Sequence, residues 1–505
     1  MNYKLHSLVA ATLAGSLLMG FGVNAMADST FDLVQALVAK GVLTEEEAIP
    51  LMKGRENDIT LADKKVKKAA KIGISDAIDN ATLYGDMRAR YEQREGKGVG
   101  TTAGVNVDAN RDRARYKLTF GVKTTADDFY TDIAFAMGAG GRSDNATFGS
   151  TTNAASGGSA YNDKQSLLVK RAMIGWNATD WLALEVGRID NPLYTTPMVW
   201  DADLQFQGLA EKFKYSTLSK TDLFFTAAQA EYLGDKRSFP DGGGSRTATN
   251  ELLAFQGGFK MPLNDNSSAK AALTYTTFTH GTAKSTGVYN PGSSTQTVTT
   301  LLAPAAGPAN TLSSSTTAVN DLKTIEIPGE INYMISSNIG IRLFGDYVYN
   351  IDGGDRKDSA CGAASRALPL ANANNIAVKN AVCNGGTDDD AWMLGLAIGS
   401  AADLKAFEGN KLVKGDWAAR IWYQDVGAYA VDPNAVDSDF NDSRVNMKGV
   451  VFKAQYNLRD NVFVNFAAGH AKRKNNDLGT AATGNDLALN LKDFNLYQLD
   501  LTYKF

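Results

Sequence analysis

Arginine and lysine side chains recur at alternate positions in two stretches of the sequence. Arg88 and Arg90 are two residues apart, and so are Arg115 and Lys117. In an extended strand, residues two apart lie on the same face, about 7 Å from each other along the strand. A ladder of such cations on the wall of a water-filled passage would attract anions. Three further cations are expected on the polar face of their own strands: Arg171, Arg342 and Arg420.

Acidic side chains could oppose this basic face. Asp86 and Glu92 share the strand parity of the first arginines, and the polar segment 190–203 carries Asp201 and Asp203. If that segment folded into a passage, its carboxylates would face the arginines and orient polar solutes between opposite charges. A mixed-charge wall with weak selectivity and a wall with anion preference both remain open.

The residue patterns that enzymes need are missing from this sequence. Beyond residue 27 the histidines are His280 and His470, and no G-x-S-x-G, P-loop or H-E-x-x-H motif occurs. Two separated histidines and two cysteines are also a poor ligand set for a structural zinc ion. A net charge of −4 gives no indication of a nucleic-acid partner. We therefore expect no catalysis, no cofactor and no metal.

The elements that would position the charged side chains are strands with a period of two. In the segment 497–505, every second residue counted back from Phe505 is aromatic or leucine, and the residues between are polar. An apolar face and a polar face suit an antiparallel transmembrane β-barrel with lipid outside and water inside. A soluble sandwich could end with the same pattern. Export of the chain would favour the barrel.

The connections between the strand-like stretches alternate between short turns and long, polar loops. This alternation is typical of outer-membrane barrels, and eight long loops predict about sixteen strands, with fourteen or eighteen as alternatives. Two features fit poorly: Pro328 falls inside a strand, and the link 400–411 is long for a turn. The long loops are 95–110, 139–164, 190–207, 232–250, 281–321, 351–388, 427–446 and 474–487.

The first residues have the features of a secretory signal. Lys4 is followed by an apolar stretch from Leu8 to Val23, and Ala25-Met-Ala27 resembles a cleavage site. We expect residues 1–27 to be a signal peptide, 28–80 a periplasmic helical leader and 81–505 the barrel. The leader contains two short helical patterns and a basic stretch. A solvated spacer and a small coiled coil that assists oligomer assembly are both compatible with it.

Cys361 and Cys383 both lie in the long loop 351–388. Two cysteines in one loop of an exported protein are more often paired than free, because the periplasm is oxidising. Closing a loop of this size would stabilise the protein by roughly 3 kcal/mol in the chain-entropy model. We predict a disulfide that staples the loop, with two free thiols as the alternative.

Three segments resemble the putative porins of proteobacterial outer membranes, relatives of the general and phosphate-selective porins. The segments are Leu83-Tyr-Gly-Asp-Met-Arg-Ala-Arg-Tyr91, Val186-Gly-Arg-Ile-Asp-Asn-Pro192 and Tyr503-Lys-Phe505. The resemblance implies a water-filled diffusion channel in the lipid bilayer, commonly a homotrimer, whose third extracellular loop folds inward as a constriction. Tyr503 and Phe505 also resemble the signal that the barrel-assembly machinery reads.

Two functions follow as expectations. The first is an outer-membrane porin for passive diffusion of small hydrophilic solutes or ions, with Arg88, Arg90, Arg115, Lys117, Arg171, Arg342 and Arg420 lining the pore. The second is a non-conducting barrel that acts as an adhesin or receptor through its extracellular loops. Only a short segment precedes the barrel, which is too small for the folded plug of a gated transporter.

Overall fold

The computed structural model describes residues 78–99, 106–138, 144–149, 165–233, 250–278, 288–290, 293–296, 322–357, 384, 386–400, 413–432, 435–437, 439, 445–475 and 491–505. All of them belong to one compact unit, Ile78–Phe505. The predicted signal peptide, the leader up to residue 77, and both Cys361 and Cys383 lie outside the described residues. Those expectations therefore stay predictions.

Strands dominate the described part of the chain, in which residues 353–357 form a short helix. No helix in these ranges is long and apolar enough to cross a bilayer. The strands are β1 (Asn80–Val99), β2 (Asn106–Ala126), β3 (Phe129–Gly138), β4 (Ala146–Thr147), β5 (Ser166–Thr179), β6 (Leu182–Ile189), β7 (Phe206–Ser216), β8 (Asp222–Leu233), β9 (Asn250–Asn264), β10 (Ser267–Phe278), β11 (Val288–Asn290), β12 (Ser293–Gln296), β13 (Thr324–Glu326), β14 (Gly329–Ser336), β15 (Ile339–Asn350), β16 (Asp390–Ser400), β17 (Trp417–Val426), β18 (Met447–Arg459), β19 (Val462–Arg473) and β20 (Leu491–Lys504).

The main sheet closes on itself. Successive strands pair antiparallel, and β1 pairs with β2 on one side and with β20 on the other, so that Arg90 lies opposite both Arg115 and Asp500. β13 and β14 are two parts of one strand, β4 is a two-residue segment beside β2, and β11 and β12 form a separate hairpin. The result is a closed antiparallel barrel of sixteen strands, which confirms the predicted fold class and strand number.

Pro328 lies between β13 and β14, where it interrupts the strand as its missing N–H group requires. The interruption is local. The Pro328 carbonyl accepts a hydrogen bond from the Ala272 N–H at 3.1 Å, and Ile327 exchanges backbone hydrogen bonds with Tyr347 at 2.8 and 3.4 Å. The pairing register with β10 and with β15 is the same on both sides of the proline. The barrel therefore closes around it without a shift.

Short turns alternate with the long loops, as the sequence predicts. The short turns join β2 to β3, β5 to β6, β7 to β8, β9 to β10, β14 to β15 and β18 to β19. Asp127 and Lys220 adopt positive φ in two of these turns, at 50° and 60°. The long connection between β16 and β17 contains residues 401–412, which lie outside the described part.

The two faces of the strands differ as the period of two predicts. On β1, Leu83, Met87 and Tyr91 are 65%, 57% and 53% exposed on the outer face, whereas Arg90 and Glu92 are buried on the inner face. A continuous apolar exterior of this kind needs a non-aqueous neighbour, which a lipid bilayer provides. The polar inner faces therefore line the lumen.

The seam between the first and last strands includes the terminal residue. The Phe505 N–H donates to the Gly85 carbonyl at 3.0 Å, and the Gly85 N–H donates to the Phe505 carbonyl at 2.9 Å. The Phe505 ring lies over Gly85, where a Cβ atom would come within 2.6 Å of it. Tyr503 stacks beside Phe505, with ring centroids 6.0 Å apart. Glycine at position 85 thus makes room for the terminal ring.

Candidate functional site in the barrel lumen

The inner faces of β1 and β2 carry a dense group of cations. Arg88 lies directly opposite Lys117, and Arg90 lies directly opposite Arg115. Cross-strand neighbours of like charge repel unless carboxylates lie between them. The structure supplies those carboxylates from the strands and from two loops; they are Asp86, Glu92, Asp144, Asp439 and Asp500.

Glu92 is the central carboxylate of this group, and its side chain is fully buried. Its Oε1 accepts hydrogen bonds from Arg94 Nε at 2.9 Å and from Arg113 Nε at 2.6 Å, and its Oε2 accepts one from Gln498 Nε2 at 2.9 Å. One negative charge thus contacts several positive ones. The arginines within 4 Å of it are Arg90, Arg94, Arg113 and Arg115.

A second ion pair locks the seam between β1 and β20. Arg90 donates from Nε and Nη2 to the two carboxylate oxygens of Asp500, at 2.7 and 2.9 Å. Such a two-pronged contact is among the stronger hydrogen-bonded pairs in proteins. Arg90 therefore has a structural role in barrel closure as well as its place on the lumen wall.

Residues 190–205, here called L3, connect β6 to β7 and lie against the opposite wall. The Tyr194 backbone exchanges hydrogen bonds with the Gln256 side chain at 2.8 Å. Thr195 donates to Glu326 and Thr196 donates to Asp346, each at 2.5 Å. These contacts hold L3 on β9, β13 and β15, far along the sheet from β1.

Residues 427–446, here called L7, connect β17 to β18 and reach the basic wall. Asp439 accepts from Arg90 Nη1 at 3.0 Å and lies 3.4 Å from Arg94 Nη2. L7 also bonds to L3: the Asp201 N–H donates to the Ala435 carbonyl at 2.6 Å, and the Asp437 N–H donates to the Pro197 carbonyl at 3.0 Å. Through these contacts, the described residues of L3 and L7 form a bridge between the β13–β15 wall and β1.

Burial and the charges of the barrel wall shift the pKa values of two L7 carboxyl groups, those of Asp439 and Asp437. Burial would raise the pKa of Asp439, but Arg90, Arg94 and Lys453 hold that pKa well below its usual range. Burial raises the pKa of Asp437 despite the nearby Lys453. Asp439 therefore stays ionised at neutral pH as the counter-charge of the β1 arginines.

In L3, the sequence singles out Asp201 and Asp203 as the acidic residues that would face the arginines of β1. Asp201 Oδ1 accepts from the Asp203 N–H at 2.9 Å and so shapes the loop itself. Asp203 lies within electrostatic range of Lys170 and Asp144. The loop carboxylate that contacts Arg90 is Asp439, which the sequence pattern does not single out. Whether Asp201 and Asp203 form a constriction stays a prediction.

The remaining predicted pore residues are spread around the wall. Arg171 on β5 pairs with Asp132 at 2.5 Å and also with Asp190. Arg342 on β15 donates from Nε to Asn332 at 3.0 Å. Arg420 on β17 lies 5.2 Å from the Trp422 ring centroid and opposite Lys453. Their pore-lining roles stay predictions, as do those of the β1 and β2 cations.

One feature of the sequence indicates that L7 packs against another surface. The run Ala428-Tyr-Ala-Val431 is apolar within a long polar loop, and all four residues are buried in the structure. An apolar run in such a loop indicates packing against another surface. In the part of the chain that the structure describes, no group of three or more His, Cys, Asp or Glu side chains is placed to hold a metal ion.

Two solved structures are similar over most of the chain: Salmonella typhi OmpF in complex with daunomycin, and a mutant of the Rh. blastica porin. Each is 12% identical and covers 84% of this chain; the coverage of the other chain is 97% and 100%, and the TM-scores are 0.39 and 0.35. No curated protein matches the sequence. The model of the family described as "Putative porin" matches residues 99–476, so this chain, with its sixteen-strand barrel and polar lumen, belongs to that porin family.

Proposed function

We propose that the protein is an outer-membrane porin, a passive diffusion channel for small hydrophilic solutes and ions. The observation that carries this proposal is the closed barrel of sixteen strands with an apolar exterior and a polar inner face. Barrels of about this size enclose an aqueous channel rather than a packed core. Passive diffusion needs neither a catalytic group nor a cofactor.

Solute uptake by proteoliposomes tests this function. Liposomes that contain the purified protein should swell in solutions of small sugars and amino acids, and the swelling rate should fall steeply with solute size. A size-selective rate is the property of a passive water-filled pore. Swelling no faster than that of protein-free liposomes, with a barrel shown to be folded by its heat-modifiable migration, would leave the porin function without support.

The bridge of L3 and L7 is proposed as the narrowest part of the channel. L3 covers Glu326 and Asp346, which are only 3% and 4% exposed, so their charge is withdrawn from the lumen. The cations of β1 and β2 keep part of their surface accessible, with the side chains of Arg88 and Lys117 19% and 14% exposed. The wall also carries accessible carboxylates beside these cations, with the side chains of Asp86 and Asp439 25% and 30% exposed. For this mixed-charge wall, from which the charge of Glu326 and Asp346 is withdrawn, we propose a weak anion preference.

We expect Arg88→Gln combined with Lys117→Gln to shift the reversal potential in a salt gradient toward cations. The shift should be larger at low salt, because ions screen wall charges over about 10 Å at 0.1 M. Lys214→Gln combined with Lys220→Gln, two exposed lysines at the turn between β7 and β8, removes the same charge as a control and should change the potential much less. Equal shifts in both variants would place the selectivity elsewhere.

A second function is favoured by one observation. L3 and L7 bond to each other inside the lumen, and such a bridge could close a barrel that serves as an adhesin or receptor. In that case the folded protein would conduct no solute, and removal of the Asp439 contact by Asp439→Asn would open it. Conduction by the unchanged protein rejects this alternative.

Export, assembly and oligomeric state belong to the same proposal. The signal peptide 1–27 would direct the chain to the periplasm, where the leader 28–80 would remain. The barrel-assembly machinery would insert the barrel by reading Tyr503 and Phe505. A homotrimer is proposed from the family resemblance, and cross-linking of the purified protein in detergent measures it.

The disulfide prediction has a direct test. Mass spectrometry of the unreduced protein should give a linked peptide pair containing Cys361 and Cys383, about 2 Da lighter than the two free thiol peptides, since one hydrogen is lost from each sulfur. Replacing both cysteines with serine should leave the barrel folded, because the bridge would close a loop. Complete alkylation of both cysteines without reductant would show free thiols.

A further inference from the structure

The carboxylate of Asp439 contacts the basic wall in the way that a bound anion would. Its Oδ2 accepts a hydrogen bond from Arg90 Nη1 at 3.0 Å, and its Oδ1 lies 3.4 Å from Arg94 Nη2. Guanidinium groups bind the carboxylates of ligands through the same charge-assisted hydrogen bonds. The contact therefore shows that a carboxylate fits beside these two arginines, although this one belongs to L7.

Asp439 covers the two arginines on the side of the lumen. The side chains of Arg90 and Arg94 are 5% and 4% exposed, whereas that of Asp439 is 30% exposed. A solute in the lumen thus meets Asp439 first and reaches the arginines only when Asp439 leaves them. L7 is also bonded to L3 through the backbone of Ala435 and Asp437, so Asp439 can leave while these anchors remain.

The charges around this contact suit an anion with more than one negative charge. Four arginines contact three carboxylates here: Arg90, Arg94, Arg113 and Arg115, with Glu92, Asp439 and Asp500. Departure of Asp439 would leave two carboxylates in a group of four arginines.

Arg113 is the arginine of this group that a solute can reach most easily, with its side chain 18% exposed. Arg94 and Arg113 both donate from Nε to Glu92 Oε1, at 2.9 and 2.6 Å, so the two guanidinium groups lie close together. A small anion with two or three carboxylates could therefore contact both, whereas one with a single carboxylate could not satisfy both at once.

Asp439 competes with any solute because it is tethered. A group held by a flexible segment acts at an effective concentration of the order of mM. An anion with one carboxylate makes no more contacts than Asp439 does and would have to exceed that concentration. A multivalent anion gains the contact with Arg113 as well, and can displace Asp439 at a lower concentration.

We propose that Arg90, Arg94 and Arg113 form a binding site for small di- and tricarboxylates, which Asp439 occupies until such an anion displaces it. This site goes beyond the proposed diffusion function and does not depend on it, because binding can be measured on the purified barrel in detergent. Failure of binding and failure of conduction are thus separate results.

Isothermal titration calorimetry of the full protein at pH 7 and low ionic strength tests the site with sodium citrate. Saturable binding of citrate is expected. Acetate should bind at least tenfold more weakly, since its one carboxylate cannot replace Asp439 and also contact Arg113. Comparable affinity for acetate, or no saturable binding of citrate, overturns the proposal.

Variants separate displacement of Asp439 from a general effect of charge. Asp439→Asn should strengthen citrate binding at least tenfold, because it removes the competing carboxylate and keeps every arginine. Asp222→Asn is the matched control: Asp222, at the start of β8, has a similarly exposed side chain, at 35%, and pairs with Lys214 instead. It removes the same charge and should change the affinity much less.

Arg94→Gln should weaken citrate binding at least tenfold. If this variant gives no folded barrel, Asp439→Asn decides. An affinity of Asp439→Asn for citrate that is unchanged, weaker, or raised no more than in Asp222→Asn shows that Asp439 does not occupy the site, and overturns the proposal.

Discussion

Replacing Glu92 with glutamine should destabilise the folded barrel by about 3–5 kcal/mol, the usual cost of breaking a buried ion pair from one side. Glu92 is fully buried and lies within 4 Å of four arginines. Glutamine keeps the size and one acceptor oxygen but removes the negative charge. The arginines would then repel one another at the seam of β1, β2 and β20.

Urea unfolding in detergent, followed by heat-modifiable migration, measures this loss. Glu211→Gln is the matched control, because Glu211 is a half-buried glutamate on β7 and forms no ion pair among the described residues. A midpoint for Glu92→Gln equal to that of the control would show that water or salt ions already neutralise the arginines.

Deleting Phe505 should prevent accumulation of the folded barrel in the outer membrane. The deletion removes two backbone hydrogen bonds to Gly85 and the ring that covers it, at the strand pair that closes the barrel. Without closure, β1 and β20 would expose unpaired backbone groups to lipid, at several kcal/mol for each group.

Membrane fractionation with detection of the heat-modifiable form measures this effect. Phe505→Tyr retains the ring and is expected to assemble normally. Gly85→Val should resemble the deletion, since a side chain there would meet the Thr119 carbonyl at 2.4 Å as well as the Phe505 ring. Normal assembly of both the deletion and Gly85→Val would show that this contact is dispensable.

The strands and turns could be predicted from the sequence because their signal is local. Alternation on β1 follows from single residues such as Met87 and Arg88, and the turns follow from short Asp- and Asn-rich links. The strand number depends only on counting long loops, and it is confirmed. Pro328 looks incompatible with a strand, yet the barrel accepts it because the neighbouring residues on both sides keep their pairing.

The loop contacts could not be predicted in the same way. No periodicity relates Asp439 to Arg90, which is 349 residues away in the chain. The direction in which a loop folds depends on partners from several strands, and L3 meets three of them. Asp201 and Asp203 have the residue type expected of a counter-charge, but backbone geometry turns Asp201 toward its own loop.

Planar-bilayer recording of the purified protein tests the central claim most directly, since the claim is that the polar lumen is a continuous water-filled passage. Stepwise, ohmic increments of current should appear as single proteins insert, and the reversal potential in a salt gradient should indicate weak anion preference. Membranes that contain folded, heat-modifiable protein but show no current above that of bare lipid would contradict the account.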